Sequence, residues 1–430
     1  MEDSRRWLML GLGTAAQTVG STLMFGLPFL LPTLRRTDGL SLAEAGALAA
    51  APSVGLVLTL LLWGVLADRY GERAVLAAGL TLTGTIALAS TTASQPAARG
   101  LAFALIGAAG ASVNAASGRL VMGWFGLRQR GVAMGVRQMG QPLGVAAAAL
   151  VMPPLARAHG LGAALAVPGL ACLVVALLIT VLARDPAPRS ATRARSTASN
   201  GSTTSDGSTT SSGAIRSGGA ASGLSPVTAA SPYRGPTLWR VHAASSLLVV
   251  PQFATATFSA EYLVSGRHWD GSDAGRLLAA VAVVGALGRL GAGRWSDLVG
   301  SRLRPMRQVA VLSAVTMVLT GIAVRDGSWL VLAALAVASV VSVSDNGLGF
   351  TATAELAGRA WSGRALGVQN TAQNLAAFAT GPLIGALAGA RGFGVAFGAC
   401  AVFPLLGAWA TPVHAEHRDA RHDAPAEQGA

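Results

Sequence analysis

Twelve apolar runs, each close to the roughly 20 residues that a helix needs to cross a bilayer, fill most of this 430-residue sequence. The runs lie near 7–33, 43–66, 74–93, 100–124, 131–156, 161–183, 238–264, 273–294, 306–324, 328–356, 364–389 and 392–411. A chain that is 52% hydrophobic cannot hide so many runs inside one soluble core. The pattern predicts an all-α membrane protein with 12 transmembrane helices.

Positive charge is concentrated in the short linkers between the runs. The net charge is +13 and, because the sequence contains no lysine, every strong base is an arginine. Alternate linkers are richer in arginine, and arginine-rich linkers usually face the cytoplasm, so both termini are predicted to be cytoplasmic. The protein is predicted to be a multi-pass protein of the cell membrane (the plasma membrane or the inner membrane). Charges spread over linkers do not indicate nucleic-acid binding. The missing lysine also excludes a phosphate-binding P-loop and therefore an ATP-driven pump domain.

Residues 185–236 interrupt the series of runs. The segment is rich in Ser, Thr, Gly and Ala and has few large apolar side chains. It cannot bury enough surface to offset its ordering entropy, so we expect a disordered cytoplasmic linker. It would separate an N-terminal six-helix bundle, 1–184, from a C-terminal one, 237–412, and residues 413–430 would form a disordered cytoplasmic tail.

The two halves of the sequence repeat each other. Asn114 corresponds to Asn346 with a shift of 232 residues, and the same shift takes Gln141 to Gln373. Parallel six-helix repeats with a site near the bilayer midplane are a known plan for transporters. The fold expected is therefore two pseudo-symmetric bundles around a central site.

A charged stretch, 64–73, follows the second run and recurs at 293–302 after the eighth. It resembles the signature loop of the major facilitator superfamily, which lies between the second and third helices and is repeated between the eighth and ninth. The resemblance covers the chain outside the linker and tail. It implies a secondary transporter with no cofactor or metal and no enzymatic activity. The residues that carry it are Gly64, Asp68, Arg69, Gly71 and Arg73, with Gly293, Asp297 and Arg302 in the second copy.

The signature residues are predicted to act in gating. Asp68, at the end of a helix, could accept hydrogen bonds from the N-terminus of the eleventh helix, where negative charge is favoured. Gly64 and Gly71 would permit tight turning. Arg73 would pair with a nearby acid. In the C-terminal half, Asp297, Arg302 and Glu355 would form the matching cluster, whereas the fourth helix offers no equivalent acid, so the two clusters should differ.

Polar residues about ten positions from a cytoplasmic boundary lie near the midplane, because a helix rises 1.5 Å per residue. Charged groups at that depth usually face a water-filled cavity. The predicted substrate-binding residues are Arg289, Arg137, Asn114, Gln17, Gln141, Asn346 and Gln373. Asp345 is the one deep acid of the C-terminal half, and we expect it to carry a proton or to balance the two arginines.

Arg289 suggests the substrate class. Its context, from Gly288 to Asp297, resembles the helix-eight pattern of oxalate/formate antiporter-like and monocarboxylate transporters, in which this arginine binds the anion. Transport of a small organic anion by proton symport or exchange is therefore the first hypothesis. A nitrate porter fits less well because Leu60 stands where that family needs a second arginine. The expected partners are a small-molecule substrate, protons and the lipid bilayer, and we expect a monomer.

The alternative hypothesis is efflux of drug-like amphipathic compounds by proton antiport. Drug exporters of the superfamily carry a Gly-Pro-rich pattern on the fifth helix and an arginine early on the fourth. Here the fifth helix has only the short stretch 140–144, and Phe103 occupies the position of the arginine. Both departures weaken this hypothesis.

Overall fold

The structure is a computed structural model that describes residues 2–93, 95–125, 130–185 and 231–414. Nearly all of the predicted linker and tail lies outside these ranges. The described residues are helical, with the bounds α1 (Glu2–Gly26), α2 (Leu31–Asp38), α3 (Leu42–Tyr70), α4 (Glu72–Ala89), α5 (Pro96–Trp124), α6 (Arg130–Leu182), α7 (Pro236–Glu261), α8 (Gly271–Val299), α9 (Leu303–Arg325), α10 (Val331–Ser344), α11 (Asn346–Arg391), α12 (Phe393–Ala399) and α13 (Val402–Ala410).

Two glycines divide the longest helices into separate spans. α6 bends at Gly160, where φ is +81°, and this separates the fifth and sixth predicted runs. α11 bends at Gly358, where φ is +69°, between the end of the tenth run and the eleventh. A side chain strongly disfavours such φ values, whereas glycine adopts them at little cost. Together α12 and α13 form the last span.

The twelve predicted spans are all helical. Within the described residues, ten helical segments are long and apolar enough to cross a bilayer, and one of them, Val136–Leu182, contains the bend at Gly160 and supplies two spans. The eleventh run is helical but is not among the ten. Its polar stretch from Gln369 to Asn374 lowers its hydropathy. The fold class predicted from the sequence is confirmed.

The first span is longer than its predicted bounds of 7–33 and is not one regular helix. α1 ends at Gly26, a 3₁₀ turn covers Leu27–Leu30, and α2 continues to Asp38. Pro28 and Pro32 explain the break, because proline lacks the amide proton that the helical hydrogen bond requires. Short 3₁₀ segments within a helix are frequent at hinges.

The signature stretch is not a loop, contrary to the prediction. Residues 64–70 are the last turns of α3, and the chain turns at the single residue Gly71, with φ at +85°. Gly64 and Gly293 are helical and have open space beside them, so neither makes a turn. The second copy ends α8 instead at Gly300, which caps the helix with φ at +64°. Nothing in residues 65–70 breaks a helix, so α3 extends past the apolar run.

The described chain forms two helical halves, α1 to α6 and α7 to α13. We call the face from which α1 and α7 start the terminal side and the opposite face the far side. The halves approach closely on the far side through glycine. A Cβ at Gly46 of α3 would collide with the backbone of Gly381 in α11, and one at Gly275 of α8 with the carbonyl of Ala149 in α6. Small residues let helix backbones approach within a membrane, so these contacts close the far side.

Candidate substrate-binding site

A cavity lies between the two halves, and its empty space, counted together with the part that is open to solvent, is about 1100 Å³. α1, α3 and α6 line it from one side and α7, α8 and α10 from the other. Its wall is mainly apolar, with aromatic side chains at Phe25, Phe29 and Phe253. The longer polar side chains in the wall are Gln141, Gln252 and Arg289. A concave, mostly apolar site with a few polar groups is typical of a binding site for a small molecule.

Arg289 is the one charged residue among the described residues of the cavity wall. Its Nε donates to the carbonyl of Val343 at 3.2 Å. Gly288 makes this contact possible, because without a side chain it lets α8 pack against Val340 and Ser344 of α10. The two terminal nitrogens of Arg289 have no hydrogen-bond acceptor within the described part of the chain. They remain available to a ligand.

Asp345 lies beside this site, between α10 and α11, and is 1% exposed. Neither carboxyl oxygen has a hydrogen-bond partner within the described ranges. Its charge interacts with that of Arg289, although no direct ion pair joins the two residues. The neighbouring Asn346 donates to Gln252 of the cavity wall at 3.1 Å. A buried carboxylate without donors is costly, so this group has an unusual electrostatic environment.

Arg137 is also buried, at 7% exposed, but is not among the described residues of the cavity wall. Its guanidinium donates to Ser117 at 2.6 and 3.0 Å, to Gln138 at 2.7 Å and to Gln17 at 2.8 Å. Gly140, pressed against Gln17 and Thr14, brings α6 close enough to α1 for this contact. That Arg137 and Gln17 contact the substrate stays a prediction. Their hydrogen bonds to each other and to α5 turn them into the N-terminal half.

The position equivalent to Arg137, with the 232-residue shift, is Gln369. It is fully buried and is also the centre of a hydrogen-bond network. Its Oε1 is 2.6 Å from His242 Nδ1 and accepts from Thr353 at 3.0 Å, and its Nε2 donates to Ser245 at 2.7 Å. Arg137 thus joins α1, α5 and α6, and Gln369 joins α7 and both parts of α11. Repeat positions therefore hold the equivalent helices of each half together.

The remaining predicted polar residues are divided between the cavity and its surroundings. Gln141 lines the cavity, and Asn346 reaches the wall through Gln252. Gln373 is 7% exposed and is not among the described residues of the wall. Asn114 is exposed on α5, also outside that set.

The far side is closed by two ion pairs between the halves. Arg35 of α2 pairs with Glu261 at the end of α7, and Arg157 of α6 pairs with Asp270, which caps α8. Sequence reasoning missed the first pair because its members are 226 residues apart. Phe29, in the 3₁₀ turn, lines both the central cavity and a far-side pocket of about 810 Å³ that includes Arg36 and Arg157. The ring therefore lies between the two spaces.

Two charge clusters lie on the terminal side. In the C-terminal half, Arg302 donates to Asp297 at 2.5 Å and to Glu355 at 3.3 Å, so the structure brings these three residues together. The hydrogen bond to Asp297 is the main reason that the pKa of Arg302 is raised above its usual value. This cluster therefore keeps its cation throughout the physiological pH range.

The N-terminal cluster differs in composition. The acid near Arg73 is Asp185, at the end of the sixth span, which accepts from the Arg73 amide at 2.8 Å. The Arg73 guanidinium donates to the carbonyl of Thr180. Sequence reasoning missed Asp185 because it stands at the start of the predicted linker. Asp68 and Arg69 are exposed on the last turn of α3, and their gating role stays a prediction.

Comparison with known sequences identifies the family. A family model described as Major Facilitator Superfamily matches residues 10–381. An uncharacterised MFS-type transporter of Mycobacterium tuberculosis is 41% identical over 413 residues, covering 95% of this chain and 85% of the relative. Its counterpart from a second strain of that species is 40% identical over the same length and coverage.

Solved structures show the same fold at low identity. A bacterial homolog of the human lysosomal transporter Spinster, crystallised in an inward-facing and occupied conformation, superposes with a TM-score of 0.77 at 14% identity, covering 98% of this chain and 99% of that one. A D-xylose-proton symporter superposes with a TM-score of 0.71 at 16% identity, covering 96% and 98%. The family model and the similar sequences, together with the repeated halves and the central cavity, show that the chain belongs to the major facilitator superfamily of secondary transporters.

Proposed function

We propose that this transporter carries a small organic anion with a carboxylate group across the cell membrane, by proton symport or exchange. The observation that supports the proposal best is Arg289, whose terminal N–H groups lie in the cavity wall without a partner in the described chain. A guanidinium binds a carboxylate through two parallel hydrogen bonds, and such charge-assisted bonds are stronger than neutral ones. The site is therefore suited to an anion.

Asp345 supports proton coupling. Arg289 is the positive charge near this buried carboxyl group and offsets its negative charge when the group is ionised. A substrate carboxylate bound to Arg289 would place a second negative charge there and so weaken that support. One proton taken up by the Asp345 carboxylate would restore the charge balance. Anion binding and proton uptake would then occur together, which is the requirement for symport.

Alternating access would use the contacts at the two faces. The closed far side leaves the terminal side as the route into the cavity in this conformation. The arginine distribution predicts that this side faces the cytoplasm. The terminal-side charge clusters and Asp68 would join the halves when the far side opens.

Efflux of amphipathic compounds remains the second candidate function, and one observation favours it. Most of the cavity wall is aromatic or aliphatic, as a site for drug-like molecules would be. An exporter of cations would need an acid in the wall, whereas the charged residue among the described lining residues is an arginine.

The proposal can be tested by thermal stability of the purified protein in detergent. A ligand that binds the folded state raises the melting temperature, and the rise increases with the ratio of ligand concentration to Kd. The panel would contain acetate, benzoate, succinate, amino acids and hydrophobic cations, each with wild type and Arg289→Gln. Arg276→Gln is the matched control, because Arg276 is an exposed arginine of the same helix that pairs with Asp273 at 2.9 Å.

We expect at least one carboxylate to stabilise wild type and Arg276→Gln but not Arg289→Gln. Stabilisation by hydrophobic cations alone would contradict the proposal and favour efflux. For coupling, Asp345→Asn should abolish anion-dependent proton uptake into proteoliposomes, and unchanged proton uptake in that variant would remove Asp345 from the mechanism.

A further inference from the structure

We infer that the substrate is an amphipathic monoanion, with one carboxylate at Arg289 and an extended apolar body directed toward the far side. This inference rests on the proposed anion transport and narrows it to a substrate class. It is based on three features of the cavity: the distribution of polarity along its length, the number of charges in its wall, and its dimensions.

Polarity changes along the cavity. α8 lines it from Leu278, near the far side, to Arg289, nearer the terminal side. Gln141 on α6 and Gln252 on α7 are likewise the lining residues of their helices that lie nearest the terminal side. Amide groups beside a cation help to orient a carboxylate.

The opposite end of the cavity is mostly apolar, with Thr257 as a polar residue of its wall. Phe29, Pro28 and Leu278 lie there, next to the far-side closure, and Phe25 and Phe253 extend the aromatic surface. The hydroxyl of Thr255 donates to carbonyls of its own helix and so is not needed by a ligand. A hydrocarbon or aromatic group would find a complementary surface at this end.

The charge count favours one negative charge. Arg289 is the cation of the described wall, and the nearby Asp345 is an acid and adds no positive charge. A second carboxylate on the substrate would lie among mostly apolar side chains, with no second cation of the described wall to pair with. Because an unpaired charge in such surroundings is strongly disfavoured, dicarboxylates should bind poorly.

The dimensions favour a long ligand. The 11 residues that separate Leu278 from Arg289 on α8 span roughly 16 Å of helix. Residues of the cavity wall lie along this whole length of α8. Acetate or oxalate bound at Arg289 would leave most of this space unfilled, so compact anions should gain little from the apolar wall.

The test uses one matched set of probes in the thermal-stability assay: acetate, succinate, 4-phenylbutyrate, its uncharged amide and 4-phenylbutylamine. We expect 4-phenylbutyrate to bind at least about tenfold more tightly than acetate, and the amide and the amine to bind about tenfold or more weakly than 4-phenylbutyrate, because they lack the charge-assisted bonds to Arg289. Phe253→Ala should weaken the binding of 4-phenylbutyrate and leave the binding of acetate unchanged. Phe403→Ala, a half-buried phenylalanine on α13 outside the described wall, is the control.

The possible results separate this inference from the proposed function. If acetate or succinate binds through Arg289 and 4-phenylbutyrate binds no better, the amphipathic substrate class is wrong and anion transport stands. If the amide or the amine binds as tightly as 4-phenylbutyrate and Arg289→Gln does not change the binding, both the amphipathic substrate class and the proposed anion transport are wrong. Equal loss of both anions in Phe253→Ala would also overturn the inference, because the wall would then not distinguish the apolar body.

Discussion

The ion pair between Arg35 and Glu261 should stabilise the conformation with a closed far side. Glu261 is 1% exposed and Arg35 31% exposed, and they belong to different halves. The second carboxyl oxygen of Glu261 has no hydrogen-bond partner in the described chain, so its charge depends on Arg35. Arg35→Gln would leave a buried carboxylate unpaired only while the far side is closed. The substitution should therefore favour opening.

The size of the effect can be worked from the burial. Removing one partner of a fully buried ion pair costs about 3–5 kcal/mol. Because Arg35 is partly exposed, solvent screening reduces this to about 2 kcal/mol. A change of that size alters the ratio of open to closed conformations by a factor of about 30.

Opening can be measured with a reporter cysteine in the central cavity. Ala256 lines the cavity, and both native cysteines, Cys172 and Cys400, are buried, so Ala256→Cys gives a low background. A membrane-impermeant maleimide added from the far side should react up to about 30 times faster in the Arg35→Gln background. Exchanging the charges, Arg35→Glu with Glu261→Arg, should restore slow labelling.

Arg99→Gln is the matched control for this experiment. Arg99 pairs with Asp38 on the same side of the protein, and that pair is also largely buried, at 13% and 9% exposed. Both of its members lie within the N-terminal half, so its loss should lower stability without changing the labelling rate. Equal acceleration in Arg99→Gln, or none in Arg35→Gln, would refute the reasoning that the pair between the halves controls opening.

Three further predictions concern the helix contacts. Arg137→Gln should keep most of the thermal stability, since Gln369 fills the equivalent position in the other half. Arg137→Leu should lower the melting temperature by several degrees, because it leaves buried acceptors unpaired. Equal melting temperatures of the two variants would contradict the role of Arg137 in joining the helices. Gly46→Val should prevent far-side closure, because its side chain would meet the Gly381 backbone, and the maleimide assay should then show permanent labelling; slow labelling would disprove this contact. Phe29→Ala should connect the central cavity to the far-side pocket and raise substrate leak from proteoliposomes loaded with a transported anion; unchanged leak would mean that the ring is not the barrier.

The sequence by itself determined the class of fold. Bilayer thickness sets the length of a spanning helix, and membrane topology determines which linkers are rich in arginine. The twelve spans could therefore be predicted from the apolar runs and the arginine-rich linkers. The repeat at a shift of 232 residues and the signature stretch indicated the family. The boundaries were less accurate: α3 extends to Tyr70 and the first span contains a 3₁₀ turn, because proline and glycine positions, not hydropathy, end these helices.

The positions of the polar side chains relative to the central cavity depend on the tertiary structure. Arg137 and Arg289 lie at a similar predicted depth and each follows a glycine-containing stretch, so depth does not distinguish them. The difference comes from their neighbours: Ser117, Gln138 and Gln17 satisfy Arg137 inside one half, whereas Arg289 keeps its terminal nitrogens in the cavity wall. Which way each arginine points depends on the rotation of its helix and on hydrogen-bond partners that are distant in sequence. Both are set by the packing of the whole fold, so they cannot be read from the residues around each arginine.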